Sequence, residues 1–162
     1  MNEDGVTNGT ATKYVNINIS RFKKDDNGKA DLAGASGHEG THVKDDNSEA
    51  LKLKGLTSFQ VDAAVASGKV MIKPITEVNA YRVSSYIAEA MHRNDNVENV
   101  SVNGSKIWDK GWKAADEETK RNSGIRGVLE SPRGTYKYKF TGGKNDSIDD
   151  PKLWQPAKAI FW

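Results

Sequence analysis

Two of the three histidines in this 162-residue chain stand four residues apart, with a glutamate directly after the first: His38-Glu39-Gly40-Thr41-His42. Residues four apart on an α-helix lie on one face, nearly above one another. His38 and His42 would then direct two imidazole nitrogens at one point, as two legs of a tetrahedral zinc site at about 2.0–2.1 Å each. Glu39 would take a proton from zinc-activated water and pass it to the leaving nitrogen of an amide bond. The chemistry these residue types suggest is metal-assisted hydrolysis. The same spelling also arises by chance, and Gly34, Gly37 and Gly40 each cost about 1 kcal/mol against Ala in a helix interior. Those glycines fit a loop, or a buried helix pressed against another backbone where no side chain fits.

A catalytic zinc takes three protein ligands. A third histidine six residues after the second is ruled out by Ser48, which leaves Asp45 or Asp46, His92 and Glu77. The segment from Thr76 to Asn94 reads as the best helix in the chain. At 100° per residue its Ala80, Val83, Ser84, Ile87, Ala88 and Met91 share one arc, and Glu77 lies near the middle of it. A carboxylate on the core side of a helix is costly unless something pairs with it, and a metal is one such partner. Its other explanation is a first-turn acid facing the helix dipole. His92 is on the order of 22 Å along the helix from Glu77, too far to share an ion with it, and suits the C-terminal dipole. Asp45 and Asp46 share the face of His42 only if that helix continues; otherwise they end it or orient a ligand histidine. Glu77 is the preferred third ligand.

"GHEGTHVKD" together with "TEVNAYRVSSYI" resembles the zincin metallopeptidase domains at the C-terminal ends of bacterial polymorphic toxins, including RHS-repeat effectors. The resemblance covers roughly residues 31–46 and 76–87, a minority of the chain, and nothing after Met91. It implies that His38 and His42 are the metal histidines, Glu39 the catalytic glutamate and Glu77 a gluzincin-type third ligand for Zn2+. It also implies secretion or delivery into a target cell, as the tip of a larger protein restrained by a cognate immunity protein. Tyr81, one turn beyond Glu77, is placed either to donate to the oxyanion of the reaction or to serve as a core aromatic. Arg82 and Tyr86 project from other faces.

The elements that must hold these residues read as one α+β domain over residues 13–162, after a flexible N-terminal edge at 1–12. It is expected to pack the motif helix against a second long helix and a small, mainly antiparallel sheet. Alternation of Val15, Ile17 and Ile19 predicts a strand over 13–20. Asp31 is the expected N-cap of the motif helix, which would run to about Lys44. Thr57 and Gln60 form a capping box for a short helix closed by Gly68, and Thr76 the cap of the next. A hairpin is expected at Asn103-Gly104, and a charged helix over 113–131 broken near Gly124. Tyr136, Tyr138 and Phe140 alternate with lysines as a second strand, a possible edge for an extended peptide. Trp108 and Trp112 read as core anchors or sugar-stacking platforms. Trp154, Phe161 and Trp162 either fold back onto the core or form a protein-binding patch.

The bulk composition narrows the partners. With 24 basic and 22 acidic side chains, there is no electrostatic case for nucleic acid or an anionic membrane. The absence of cysteine excludes disulfides, thiolate metal knuckles and thiol nucleophiles. No run approaches the roughly 18 apolar residues of a membrane span, and the polar first residues lack the pattern of a signal peptide. The expectation is a monomeric zinc metallopeptidase acting on a protein or peptide. The alternatives are a zinc-dependent peptidoglycan hydrolase and a non-catalytic metal-binding or protein-interaction module of a secreted protein.

Overall fold

The computed structural model describes residues 2–7, 10–67, 69, 71–93, 95–114 and 116–155, which form a single α+β domain. Four helices carry it: α1 (Asp26–Leu53), α2 (Ser58–Ala66), α3 (Lys73–His92) and α4 (Glu117–Glu130). Three antiparallel two-stranded ladders accompany them: β1 (Asn2–Thr7) with β2 (Thr10–Tyr14), β3 (Asn99–Val102) with β4 (Ser105–Asp109), and β5 (Lys139–Phe140) with β6 (Trp154–Gln155). The core lies between α3, α4 and the β3–β4 ladder, where Ile72, Val78, Ile107, Ile125 and Leu129 are all but inaccessible to solvent.

α1 and α3 pack along their lengths, and the α1 glycines show how closely. A Cβ on Gly37 would stand 2.3 Å from Ile87 Cδ1, and one on Gly34 would meet Ser84 Cβ at 3.6 Å. Ser84 Oγ donates to the Gly34 carbonyl at 2.8 Å and to that of Ala80 at 3.2 Å. A side chain at Gly37 would thus displace the tip of Ile87, whereas one at Gly34 would meet Ser84 at an ordinary van der Waals distance, so packing accounts for Gly37 and not for Gly34. Gly40 has nothing within 4 Å of such a Cβ, so packing offers no account of it.

Several element boundaries differ from the sequence expectation. β2 ends at Tyr14, because Asn18 turns its side chain onto Ser20 N at 3.1 Å and nucleates a 3-10 turn at Ile19–Arg21. Such local side-chain bonding competes with a strand ladder. α1 starts earlier than Asp31, capped by Asp25, whose Oδ1 accepts from Gly28 N at 2.8 Å. It also runs through Asp45 and Asp46 to Leu53. α3 begins at Lys73 with Ile72 as N-cap and Pro74 in the first turn, where the missing N–H of proline costs nothing. Thr76 is inside that helix, donating its hydroxyl to Lys73 O at 2.9 Å.

α4 is continuous through Gly124, capped by Asp116. A Cβ there would lie 1.7 Å from Lys106 O, so the glycine permits close approach of β4 rather than a break. Residues 136–138 are not a strand. Lys137 has φ 54°, a left-handed turn that ends the alternation, and only Lys139–Phe140 pairs with β6.

Other expectations hold. Thr57 and Gln60 form the capping box, Gln60 Oε1 accepting from Thr57 N at 2.9 Å and Thr57 Oγ1 from Gln60 N at 3.3 Å; Gly68 lies outside the described residues. Asn103 (φ 49°) and Gly104 (φ 79°) turn β3 into β4, as a two-residue hairpin of this composition does. Trp108 is a core anchor. Trp154 is buried, donating Nε1–H to Ile148 O at 2.8 Å; Phe161 and Trp162 lie outside the described residues.

Candidate metal centre

α1 carries His38 and His42 one turn apart, and α3 brings Glu77 from its first turns across the interface; all three are buried. The two Nε2 atoms are 3.1 Å apart. Glu77 Oε2 is 3.4 Å from His38 Nε2 and 3.3 Å from His42 Nε2. Two donors each about 2.05 Å from a tetrahedral ion are about 3.3 Å apart, so the three sides of this triangle match one face of such a site. Each residue has one ligand atom within 4.8 Å of the others'.

The polar inventory agrees with that fit. Glu77 Oε2 and His42 Nδ1 are buried without a hydrogen-bond partner among the described residues, a costly state for polar atoms. A cation among the three facing lone pairs relieves the carboxylate oxygen. Charge attraction already operates there. Burial alone would raise the Glu77 pKa, but the two imidazoles outweigh it and hold the carboxyl at about 2. Burial opposes charge on His42, yet Glu77 and then Glu39 outweigh it and raise its pKa.

Glu39 follows His38 on α1, half-buried, and with His38 lines a cleft of about 430 Å³; His42 and Glu77 lie behind its lining residues rather than among them. Tyr81 is buried on α3 and stacks edge-on against His38, ring centroids 4.4 Å apart. Its hydroxyl lies 3.1 Å from that of Tyr136. Both tyrosines line the cleft. Burial raises both phenols, that of Tyr81 to about 12; for Tyr136 the Glu77 charge adds to burial, and for Tyr81 it is the larger of two carboxylate effects opposed by the Tyr136 bond. Both are therefore protonated donors at neutral pH.

Tyr136 is a residue the sequence placed elsewhere. Its alternation with Tyr138 and Phe140 assigned all three to one strand face, and no spacing ties residue 136 to residue 77. Lys137 is left-handed, and the rings form a chain rather than a strand face: Tyr136 lines the cleft and stacks on Tyr138 at 5.9 Å, while Phe140 packs on Trp154 at 5.0 Å.

The other ligand candidates are engaged differently. Asp45 and Asp46 are buried on α1, but Asp45 Oδ2 accepts from Asn79 Nδ2 at 3.4 Å, and neither belongs to the convergent group. Burial is the main cause of the raised Asp45 pKa. His92 places Nδ1 2.8 Å from Val97 O and packs on Trp108. Arg82 pairs with Asp149 at 2.8 Å and Tyr86 stacks beneath the Arg121 guanidinium, both away from the tripod. A larger hollow of about 770 Å³ beside α4 touches none of the tripod residues, so size does not identify the site; chemistry does.

No known protein family, curated protein or solved structure matches the chain.

Proposed function

We propose that this protein is a zinc-dependent hydrolase of gluzincin type that cleaves an amide bond in a protein or peptide. The observation that carries this reading is the triangle of 3.1, 3.3 and 3.4 Å formed by His38, His42 and Glu77. When bound, zinc polarises a carbonyl and lowers the pKa of water at its open position. The chain's own groups perform the rest. Glu39 accepts a proton from the attacking water and returns it to the leaving nitrogen. The Tyr81–Tyr136 pair donates to the carbonyl oxygen as it gains charge. Val100, Ser101 and Val102 of β3 line the cleft, and among the described residues β3 pairs with β4 on one edge only, which suits an extended chain.

The likeness of the two motif segments to toxin-associated zincins supports a delivered, secreted role with an immunity partner. Among the described residues no helix is long and apolar enough to cross a membrane. Elemental analysis tests the metal first: near-stoichiometric zinc is expected in the parent and little in Glu77→Ala. A Glu39→Gln variant should keep zinc and lose cleavage of a denatured protein substrate. A parent that takes up no metal even after zinc is added back overturns the proposal.

A further inference from the structure

Seven residues before His38, on the same face of α1, stands Asp31. Seven residues are two helical turns, about 10.5 Å. Between the two on that face lie Gly34, packed against Ser84 of α3, and Ala35, and both line the cleft that also takes in Asp31 and His38. These small residues line the α1 side of the cleft, and His38 is the residue by which the metal centre borders it. Phe22 and, from the hairpin, Val100, Val102 and Ile107 line it as well.

Asp31 is an exposed residue at the cleft and is uncommitted to any protein partner among the described residues. Its acidic neighbours are used locally, Asp25 as the helix cap and Asp26 in a pair with Lys29. No hydrogen bond or ion pair engages Asp31 among the described residues. Burial raises its pKa, the Asp25 charge adds to that, and Lys23 opposes it. A cation entering the cleft would favour the charged carboxylate by direct attraction, against the Asp25 charge. Arg21 is the one cation among the cleft residues, and it makes no ion pair with Asp31.

A cleft lined by small and apolar residues, with the Asp31 carboxylate two helical turns from His38 and Glu39 beside His38, matches a side chain with an apolar stem and a cationic tip. We infer that Asp31 is a specificity-determining residue, and that the substrate is a peptide with a lysine or arginine within about three residues of the bond lying over His38, His42 and Glu77. This rests on the hydrolase reading for the position of the bond, but the charge preference is measurable separately.

The test uses zinc-loaded protein and fluorogenic peptides identical except for Lys, Gln or Glu at each position flanking the scissile bond. At one position the parent is expected to favour Lys over Glu about fivefold in kcat/KM, the range of a solvent-accessible ion pair. Asp31→Asn should abolish that ratio with its zinc content unchanged, Asp31→Lys should invert it, and Arg21→Gln should increase it. Equal cleavage of all peptides by the parent, or a ratio that survives Asp31→Asn, overturns the inference. Fluorescence anisotropy with the labelled lysine and glutamate peptides on zinc-loaded Glu39→Gln separates the two readings. Asp31-dependent binding of the lysine peptide that the parent never cleaves would retain the subsite and reject the hydrolase. Cleavage without charge preference would do the reverse, and absence of selective binding together with absence of cleavage would reject both.

Discussion

Replacing Glu77 by glutamine keeps the size of the side chain and removes its charge. In the metal-free protein the Glu77 carboxyl is held at about 2, against an ordinary value of 4.5. The difference corresponds to about 3 kcal/mol of stability at 1.36 kcal/mol per unit. Glu77 is buried, so solvent screening removes little of it. The sign follows from linkage. A depressed carboxyl contributes stability that is present above the unfolded value and lost as pH falls through the folded one. The raised His42 contributes the opposite way: its share is present below the unfolded value and lost as pH rises through the folded one. Without metal, the advantage of the parent over Glu77→Gln should be largest in mild acid, between these limits, and should shrink towards pH 2 and again above neutrality. With zinc, the ion replaces the imidazole proton, and the advantage should persist on the alkaline side. Denaturant unfolding of both proteins, with chelator and with zinc, at about pH 3, 5 and 8 measures all of this. Equal stability at about pH 5 without metal, or equal zinc retention by the two proteins, would refute the convergence of the three side chains.

Three other outcomes follow from the same geometry. Gly124→Ala should cost about 1–3 kcal/mol, because its Cβ meets a backbone oxygen, Lys106 O, that cannot swing aside; thermal unfolding in chelator should show a lowered Tm. Tyr81→Phe and Tyr136→Phe should each keep zinc and lower kcat about 10²-fold. The double variant should lose no more than the worse single, since the two hydroxyls act as one unit; multiplicative losses would refute the pairing. Burial raises the Tyr81, Tyr136 and Tyr138 phenols, with Tyr81 and Tyr138 at about 12. Tyrosinate absorbance should therefore show these three of the five tyrosines still protonated at about pH 11. Folding stability should fall as pH rises above about 10, where unfolded tyrosine begins to ionise.

What the sequence by itself determined are the features that depend on a few neighbouring residues. The four-residue spacing of His38 and His42, the Thr57–Gln60 capping box and the Asn103-Gly104 turn each follow from local backbone geometry, and each stands in the structure. The apolar arc of the second helix marked Glu77 as the acid facing inward, because a helical period is also local. Only the tertiary structure decided that Glu77, rather than Asp45 or Asp46, meets the histidines. Thirty-five residues separate Glu77 from His42, and their meeting depends on how closely α1 and α3 pack. Gly37 makes room there for Ile87, and Ser84 ties the two helices through the Gly34 carbonyl. Gly37 counted against a helix when read as a propensity, since propensity counts the cost within one helix and omits contact with its neighbour. Tyr136 could not be read at all, because its place beside Tyr81 comes from one left-handed residue, Lys137. A non-glycine residue holds that conformation only where tertiary contacts on either side compensate for it.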